Sequence, residues 1–561
     1  MGYLRGLIVS CNLLLVIYTA LLSNISSVHA DESSATTSTD SNSVVAKSSS
    51  NCPKIERSHS TIFIRKIEFI DAKGEPYQPL ISKEKLEPII KSLEGCSVTQ
   101  DKLTEAEEKI NQWYIGEGYI TSRAFFQGMT NGVAKIGIIE GSIEKITIEN
   151  SPRLEQYVRS RLERSVSKPF KVSKLEEQLR LLKADPLLEK VQASLRTGSQ
   201  KGQNQLIVNV TEAKPFVNSM GVDNYTPPSI GSENLSYNLA YRNILGFGDT
   251  FSTNYNPSFE AIGGTYNLEF GYGIPLNSMD GTLQLRTAIN RNKVISGQFE
   301  ELEIEGETEL YELSFRQPLV LTPRKEFALS LGFAYQDGQT FTFQGPTPFG
   351  FGPDEDGISR TSVLQLGQEY TQRDVSGAWA FGSKFRCGLD IFNATDNSDS
   401  LPDGQFFSWL AQAQRVQVLN DDNFLIIQAD LQLTPNSLLP SEQFVIGGGQ
   451  SVRGYRQNAR SGDSGFRFSI EDRITLAKNQ AGEPAFILAP FFDMGSVWNV
   501  DDNPNIIPEQ NFIAALGLGF LVQPIPGLNL RFDYAPPLFD LSDREDSLQD
   551  NGFYFSANYN F

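Results

Sequence analysis

The side chains that could carry out catalysis are scarce in this sequence, because only two histidines, His29 and His59, occur among its 561 residues. A Ser-His-Asp or Cys-His nucleophile system needs a histidine base, and a histidine metal site needs several such ligands. Catalysis by carboxylates alone is not excluded by this count. We therefore expect a protein that is not an enzyme and that carries no metal ion or cofactor.

Arg453 is the first candidate for a functional polar contact. It follows three consecutive glycines, 447–449, and precedes Gly454. Glycine adopts positive φ angles without steric cost, so this segment can form a tight hairpin that folds back on the protein. A guanidinium partly cut off from water would then prefer a carboxylate partner, because its planar fork of donors matches two carboxylate oxygens.

Asp493 is the candidate partner. It lies between Phe492 and Met494, and alternate residues of a strand point to opposite faces. If the two apolar side chains face outward, Asp493 faces the interior and can meet Arg453. The alternative is that Arg453 is an exposed arginine in a turn and Asp493 is a solvated carboxylate in the lumen, so that the two do not meet.

Four cysteines leave one candidate disulfide. Cys11 lies in a predicted signal peptide, and Cys387 stands alone in a strand-like segment. Cys52 and Cys96 remain, and in an oxidising compartment they can form a disulfide. The alternative is that both thiols are free.

Charge and targeting signals narrow the class of protein. The net charge of −19 argues against a nucleic-acid partner, which requires a basic surface. Residues 1–30 have the features of a secretory signal peptide, with Arg5, a short apolar run and a small-residue cleavage site. The Ser/Thr-rich residues 31–60 predict a flexible linker. No later run of about 20 apolar residues occurs, so a protein in a membrane would have to cross it as a closed barrel.

Two consecutive segments have the same predicted order of elements. Residues 61–141 alternate like a strand, then show two helical patterns, then two more strands. Residues 142–215 repeat this βααββ order. We therefore predict two small α/β modules upstream of the rest of the chain.

Residues 216–561 show strand alternation separated by Gly-, Asn-, Asp- and Pro-rich turns. About sixteen strands can be placed, which is an even number and fits an antiparallel β-barrel with an aqueous lumen. The final strand alternates apolar residues, such as Phe553 and Phe555, with polar ones, such as Ser556 and Asn558. A transmembrane barrel is therefore predicted, and a large soluble β-sandwich or propeller is the alternative.

Several segments resemble those of two-partner secretion transporters, which belong to the superfamily of outer-membrane barrel-assembly factors. Residues 444–455 (FVIGGGQSVRGY), followed by 461–465 (SGDSG), resemble the inward-folded loop of that family. Residues 491–495 (FFDMG) resemble the strand motif that accompanies the loop. Residues 119–123 (YITSR) with 139–141 (IEG) resemble the first of the family's two POTRA modules.

The resemblance implies roles for particular residues. It implies an inward loop near 440–464 and a cysteine pair in the first POTRA module formed by Cys52 and Cys96. Residues 31–50 lack the amphipathic pattern of the helix that commonly plugs the family's pore. The implied loop motif is Val452, Arg453, Gly454 and Tyr455, and its implied strand partners are Phe491, Asp493 and Gly495.

The resemblance also implies a function. The protein would be an outer-membrane pore of a Gram-negative-type envelope, with its POTRA modules in the periplasm. Edge strands of those modules would bind an unfolded, secreted exoprotein rich in β-helix repeats, of the hemolysin or adhesin kind. The pore would pass this partner to the cell surface without ATP. Besides outer-membrane lipid, no nucleic acid and no small-molecule substrate is expected.

Three alternatives remain open from the sequence. A factor that inserts other barrels into the membrane shares the loop and the strand motif, although such factors often carry more upstream modules. A passive porin or receptor channel would not need the upstream modules. A secreted, soluble β-rich adhesin or enzyme is disfavoured by the terminal strand and by the scarcity of histidine.

Overall fold

The computed structural model describes residues 61–297, 299–397, 401–508 and 510–561. The predicted signal peptide, the predicted linker and Cys52 lie outside these residues. The chain forms two compact units, and the boundary between them lies between Ala213 and Lys214. The first of these contains two α/β modules, and the second is a β-barrel.

The first module packs two helices against a three-stranded sheet. Helix α2 carries Leu103, Ala106, Ile110 and Tyr114 on one buried face at spacings of three and four residues. The sheet has the order β2-β5-β4, with β2 parallel to β5. The elements are β1 (Ile62–Ile64), β2 (Lys66–Ile70), α1 (Lys83–Lys91), β3 (Cys96–Val98), α2 (Gln100–Gly116), β4 (Arg123–Thr130) and β5 (Val133–Ile139).

The start of the first module differs in one respect from the sequence prediction of a single strand. The predicted strand is interrupted at Arg65. The part before it, β1, pairs with β3, whereas the part after it, β2, pairs with β5. The amide of Arg65 donates instead to the carbonyl of Gly132, at 2.7 Å. The extra strand β3 lies between the two helices, where the sequence showed no clear alternation.

The second module repeats the arrangement, with the sheet order β6-β8-β7 and β6 parallel to β8. Its core includes Leu162, Leu182 and Leu206, all fully buried. None of the helices within the described ranges is long and apolar enough to cross a membrane. The elements are β6 (Ser142–Glu149), α3 (Glu155–Glu163), α4 (Val172–Lys183), β7 (Leu188–Thr197) and β8 (Gln203–Glu212).

Sixteen long strands of the described residues form a closed antiparallel barrel, and the two-residue strand β16 pairs only with β15. Strand β27 pairs with β9 to close the barrel, with Ser556 opposite Asp223. In chain order the strands are β9 (Phe216–Asp223), β10 (Asn234–Arg242), β11 (Thr250–Pro257), β12 (Tyr266–Pro275), β13 (Thr282–Lys293), β14 (Glu305–Leu321), β15 (Lys325–Thr342), β16 (Gly345–Pro346), β17 (Ile358–Asp374), β18 (Gly377–Gly388), β19 (Phe407–Asn420), β20 (Asn423–Leu433), the loop strands β21 (Phe444–Ile446) and β22 (Arg460–Gly462), β23 (Ser464–Lys478), β24 (Pro484–Trp498), β25 (Phe512–Val522), β26 (Leu528–Tyr534) and β27 (Phe553–Asn560). The predicted βααββ modules followed by a barrel of about sixteen strands are confirmed.

The two faces of the barrel wall differ in chemistry. Large apolar side chains, such as Leu285, Leu313 and Leu331, are about half exposed on the outer face. Their chain neighbours Arg286 and Glu312 point the other way, because alternate strand residues face opposite sides. The wall therefore has an apolar exterior and a polar lumen.

Candidate functional site

The candidate site lies on the lumen face of the barrel wall between strands β23 and β26. Strand parity turns Glu471 of β23, Asp493 of β24 and Asp533 of β26 into the lumen, where all three are buried. Phe492 and Met494, on either side of Asp493, point to the outer face, as predicted. The three strands thus present carboxylates to whatever occupies this part of the lumen.

The occupant is the segment 434–463, which connects β20 to β23 and folds back against the lumen wall. Gly447, Gly448 and Gly454 have φ angles of 106°, 102° and 97°, which only glycine adopts without strain. A Cβ atom on Gly454 would also lie 2.9 Å from the Cβ of Ala515. Three of the four glycines that the sequence analysis singled out are therefore required for the turn, and Gly454 is also required for close packing on β25.

Arg453 meets Asp493 in the two-pronged geometry expected of an arginine and a carboxylate. Its Nε donates to Oδ2 of Asp493 at 2.6 Å and its Nη2 donates to Oδ1 at 2.9 Å. The backbone amide of Arg453 also donates to Oδ2, at 3.2 Å. Arg453 is 5% exposed and Asp493 is fully buried. The predicted contact between these two residues is present in the structure.

A larger ionic group surrounds this pair. Glu471 accepts from Nη1 of Arg453, from Nη2 of Arg531 and from Nε of Arg473, each at 2.7 Å. Asp533 accepts from Nε of Arg531 at 2.7 Å. Three guanidinium groups thus balance three carboxylates, which makes burial of the whole group tolerable. We call it the loop-anchor cluster, and its members are Arg453, Arg473, Arg531, Glu471, Asp493 and Asp533.

The other two predicted strand residues also contact the loop. The guanidinium carbon of Arg453 lies 3.2 Å from the centre of the Phe491 ring, in a cation–π arrangement. A Cβ atom on Gly495 would lie 2.9 Å from the carbonyl oxygen of Phe466 and 3.3 Å from Val452 Cγ2. Phe491, Asp493 and Gly495 therefore form one continuous face on which the loop lies.

Val452 and Tyr455 anchor the loop by apolar contact and hydrogen bonding. Val452 is fully buried in a cluster that includes Ile446. The hydroxyl of Tyr455 donates to the carbonyl of Ala514 at 2.8 Å and accepts from the amide of Phe539 at 3.2 Å. All four residues of the predicted loop motif are thus brought together with the three predicted strand residues.

Tyr554 completes this contact, although the sequence analysis did not identify it. Its hydroxyl accepts from the amide of Gly454 at 2.9 Å and donates to the carbonyl of Tyr455 at 2.6 Å. Tyr554 lies on the face of β27 that otherwise carries Ser556 and Asn558. A large aromatic side chain on a polar face was the sequence signal that could have identified it.

The beginning of the loop has a second buried ion pair that the sequence analysis also missed. Glu442, in the short helical turn Pro440–Glu442, pairs with Arg386 of β18. The hydroxyl of Thr361 donates to Oε1 of Glu442 at 3.0 Å, and Gln432 donates to its backbone carbonyl at 2.9 Å. No sequence motif indicated a role for Glu442. Strand parity in β18 could predict only that Arg386 faces the lumen.

The arrangement can hold a chain segment in a defined place, because ion pairs and hydrogen bonds join the loop to the strands. Among the residues that the structure describes, no group of three or more His, Cys, Asp or Glu side chains is placed to hold a metal ion. Cys96 takes part in a disulfide. Because Cys52 lies outside the described residues, the Cys52–Cys96 pairing stays a prediction.

Two family models match the sequence. The model described as haemolysin secretion/activation protein ShlB/FhaC/HecB matches residues 202–521. The model described as POTRA domain, ShlB-type, matches residues 64–141. Together they cover one of the two modules, the start of the barrel and most of its strands, including the loop and its strand partners.

Individual proteins are similar over a large part of the chain. The outer membrane transporter CdiB of Dickeya dadantii (strain 3937) is 25% identical over 374 residues, which cover 65% of each protein. The heme/hemopexin transporter protein HuxB of Haemophilus influenzae (strain 86-028NP) is 22% identical over 429 residues, covering 73% of this chain and 72% of HuxB. The chain therefore matches slightly less than two thirds of the length of CdiB.

Solved structures share the fold. CdiB from Escherichia coli superposes with a TM-score of 0.66 at 18% identity, covering 91% of this chain and 92% of CdiB. BamA from Haemophilus ducreyi lacking POTRA domains 1-3 superposes with a TM-score of 0.54 at 14% identity, covering 89% of this chain and 100% of that one. At these identities the likeness shows a common fold and nothing more.

Proposed function

The chain belongs to the haemolysin secretion/activation protein family ShlB/FhaC/HecB, and on that premise we propose that it is an outer-membrane transporter that exports a partner protein. Its barrel lies in the outer membrane, with the apolar outer face against lipid, and its two POTRA modules lie in the periplasm. Both relatives named above are transporters: CdiB is an outer membrane transporter, and HuxB is a heme/hemopexin transporter protein. These names support transport as the function.

The partner is a secreted exoprotein, rich in β-helix repeats, that reaches the transporter unfolded. An unfolded chain exposes main-chain donors and acceptors, and a sheet edge binds these with little demand on sequence. The modules collect such a chain before it enters the barrel. Folding of the partner outside the cell draws it through the pore, so that no nucleotide is consumed.

The observation that carries this proposal is the buried contact between Arg453 and Asp493, with the loop that it fixes in the lumen. A pore wide enough for a polypeptide must not leak when idle, and a segment bound inside the lumen restricts it. Because the loop-anchor cluster is electrically balanced and buried, the loop has one defined resting position. The loop is also near enough to a passing chain to guide it.

Deletion of residues 62–141 tests the proposal in cells that also produce the partner exoprotein. The barrel strands pair among themselves, so a heat-modifiable barrel should still reach the outer membrane. Secretion of the partner should be lost, because the first docking module is gone. A matched control replaces Glu87 with Gln, since this exposed helix residue pairs with Lys91 at the surface of the module.

The opposite result would favour the alternative of a barrel-assembly factor. In that case the deletion would lower the amounts of many unrelated outer-membrane barrels and would leave the secretion of the exoprotein unchanged. Quantitative mass spectrometry of the outer membrane and of the medium distinguishes the two outcomes.

A further inference from the structure

A cavity of about 480 Å³ opens on the outer side of the barrel wall, where strands β26 and β27 meet the loop 535–552 that joins them. Its volume falls within the range of small-molecule sites, about 300–1,000 Å³. None of its lining residues belongs to the loop-anchor cluster. Two prolines of the loop line it, together with Tyr534, Asp540, Arg544, Leu548, Asn551 and Phe553.

The cavity lies at the extracellular end of the barrel. Strand β9 begins at Phe216, soon after the second module ends at Glu212, and the modules lie in the periplasm. The start of β9 is therefore its periplasmic end. Because β27 runs antiparallel to β9, with Ser556 opposite Asp223, Phe553 at the start of β27 lies at the extracellular end. The cavity is thus at the height of the outer leaflet and its headgroups.

The part of the cavity nearest the membrane is aromatic. Tyr534 lies opposite Phe553 in the strand register, and the centres of their rings are 4.6 Å apart. The next pair on the same outward face is Phe532 opposite Phe555. We call these four residues the aromatic strip. The strip continues from the cavity along the lipid-facing wall, so an acyl chain that lies on the wall can reach the cavity.

The part of the cavity farther from the membrane is polar. Nη2 of Arg544 donates to Oδ1 of Asn551 at 3.1 Å. Nη1 of Arg544 lies 3.7 Å from Oδ1 of Asp540, which is an ion pair but too long for a hydrogen bond. Within the described residues, neither Nε of Arg544 nor the carboxylate of Asp540 makes a hydrogen bond. The cavity therefore offers unused donors and acceptors side by side.

The loop that carries these polar groups is fixed from its other side. Nη1 and Nη2 of Arg460 donate to the two carboxylate oxygens of Asp543 at 3.0 and 2.9 Å. Nε of Arg456 donates to Oδ1 of Asp550 at 2.9 Å. These contacts hold the loop in place, so the cavity is formed before any ligand arrives.

The pairing of charges in the cavity indicates the class of ligand. A simple anion beside Arg544 would be repelled by Asp540, and a simple cation beside Asp540 would be repelled by Arg544. A sugar ring suits both residues, because a hydroxyl group can donate to a carboxylate and accept from a guanidinium. The rings of Tyr534 and Phe553 provide an apolar surface for the C–H face of the sugar.

We propose that this cavity binds the sugar headgroup of a glycolipid of the outer leaflet. The hydroxyl groups of the sugar donate to Asp540 and accept from Arg544, while an acyl chain of the same molecule lies along the aromatic strip. A glycolipid combines the two chemistries that the cavity and the strip present. The site is separate from the passage of a partner protein and depends on no step of it.

Native mass spectrometry of the full chain tests this site. The protein is placed in nanodiscs of phosphatidylcholine that contain a small, fixed fraction of monoglucosyl diacylglycerol with the same acyl chains. The glycolipid should remain bound with a preference of at least about tenfold over its share of the bilayer, which corresponds to about 1.4 kcal/mol. Retention of the two lipids in proportion to the bilayer would overturn the proposal, because a zwitterionic phospholipid would then bind equally well.

Two exposed side chains of the cavity provide the first variant. Asp540→Ala with Arg544→Ala removes the charged groups and should abolish the preference for the glycolipid. The matched control is Glu355→Ala with Asp356→Ala, two exposed carboxylates in another loop at the same end of the barrel. The control should keep the full preference. An unchanged preference in the cavity variant would overturn the proposal.

A pair of phenylalanines provides the second variant. Phe553 and Phe407 each begin a strand at the extracellular end, on the outer face, and they are 48% and 45% exposed. Phe553→Ala should reduce the preference at least about fivefold, whereas Phe407→Ala should preserve it, because Phe407 lies far from the cavity in the order of strands. Equal losses would show general contact of aromatic residues with lipid and would overturn the site. Heat-modifiability verifies the barrel, and if Phe553→Ala does not form one, the Asp540 and Arg544 variant decides.

Soluble methyl glucoside distinguishes a lipid from a free sugar. At the same concentration as the glycolipid it should leave the glycolipid bound, because it has no chain to pack on the aromatic strip. Displacement of the glycolipid by the soluble sugar would overturn the assignment to a lipid.

Discussion

Arginine–carboxylate pairs occur in two parts of the lumen, and they differ in burial. The Arg453 side chain in the loop-anchor cluster is 6% exposed, and that of its partner Asp493 is fully buried. On strands β12 to β17, Arg286 pairs with Glu269 at 2.8 Å, and Arg316 pairs with Glu326 at 2.6 Å. Both wall pairs are more exposed than the cluster: the side chains of Arg286 and Glu269 are 19% and 12% exposed, and those of Arg316 and Glu326 are 34% and 25% exposed.

The difference shows what burial adds to the same chemistry. Water can replace a lost partner in a wall pair, so each of these contacts contributes little to stability. Burial keeps water away from the charges of the loop-anchor cluster. Removing one member therefore leaves another buried and unpaired. The cluster therefore fixes a loop, whereas the wall pairs line a path along which a polypeptide can move.

Replacing Arg453 should have the largest effect. Arg453→Ala leaves Asp493 buried without a cation, which should destabilise the seated loop by about 3–5 kcal/mol. The barrel should still assemble, but residues 440–464 should become sensitive to protease and export should fall sharply. Protease digestion of membranes, with heat-modifiability as the test of barrel assembly, measures both effects.

A double-mutant cycle serves as the control for this result. Arg453→Ala combined with Asp493→Ala should cost less than the sum of the two single changes, because the second removes the charge that the first leaves unpaired. Full additivity, or wild-type export by Arg453→Ala, would show that this contact does not hold the loop.

Crowding the strand surface on which the loop lies should have an effect of intermediate size. Gly495→Ala places a Cβ atom 2.9 Å from the carbonyl of Phe466 and 3.3 Å from Val452, so the loop must shift. We expect a cost of about 1–3 kcal/mol, seen as faster proteolysis of residues 440–464. Gly382→Ala is the matched control, since its Cβ would meet only the Gln412 side chain, at 3.7 Å. Equal effects of the two changes would argue against contact with the loop as the cause.

Removing a wall pair should have a small effect. Arg316→Ala should change stability by less than about 1 kcal/mol, because the two carboxylates left behind, Glu326 and Glu369, are 25% and 43% exposed and stay in contact with water. The loop should stay protected from protease, and export should remain close to that of the unaltered protein. If Arg316→Ala exposed the loop as fully as Arg453→Ala does, the distinction between the two regions would be wrong.

The smallest effect should occur at Glu105 and its two lysine partners on the surface of the first module. Hydrogen bonds from Lys102 and then Lys109 lower the pKa of Glu105 from its ordinary value of 4.5 to about 2. A lowered pKa stabilises the folded module above pH 4.5, and this contribution is lost as the pH falls towards 2. In the double variant Lys102→Gln, Lys109→Gln, the titration midpoint of the Glu105 carboxyl should rise towards 4.5. Carbon NMR of that carboxyl measures the shift, and an unchanged midpoint would contradict the assignment.

The sequence by itself determined the architecture, because the spacing of apolar residues and the alternation of strand residues between two faces are local properties of the chain. Alternation with period two identified the barrel strands, and helical spacing identified α2 and α4. Parity alone turned Asp493 inward between Phe492 and Met494. The glycines around Arg453 indicated a segment that could fold back, since positive φ angles are a property of the residue itself.

Only the tertiary structure decided which inward-facing groups meet. Glu471 and Arg531 face the lumen by parity, but so do many other charged residues. Their contact with Arg453 depends on the register of strands far apart in the chain. The pairing of Glu442 with Arg386, and the two hydrogen bonds between Asn111 of α2 and Ala124 of β4, depend in the same way on how separate elements pack. Local sequence fixes the face on which a side chain lies, whereas the distance across strands and between helix and sheet is set by the closed barrel and by the packed core.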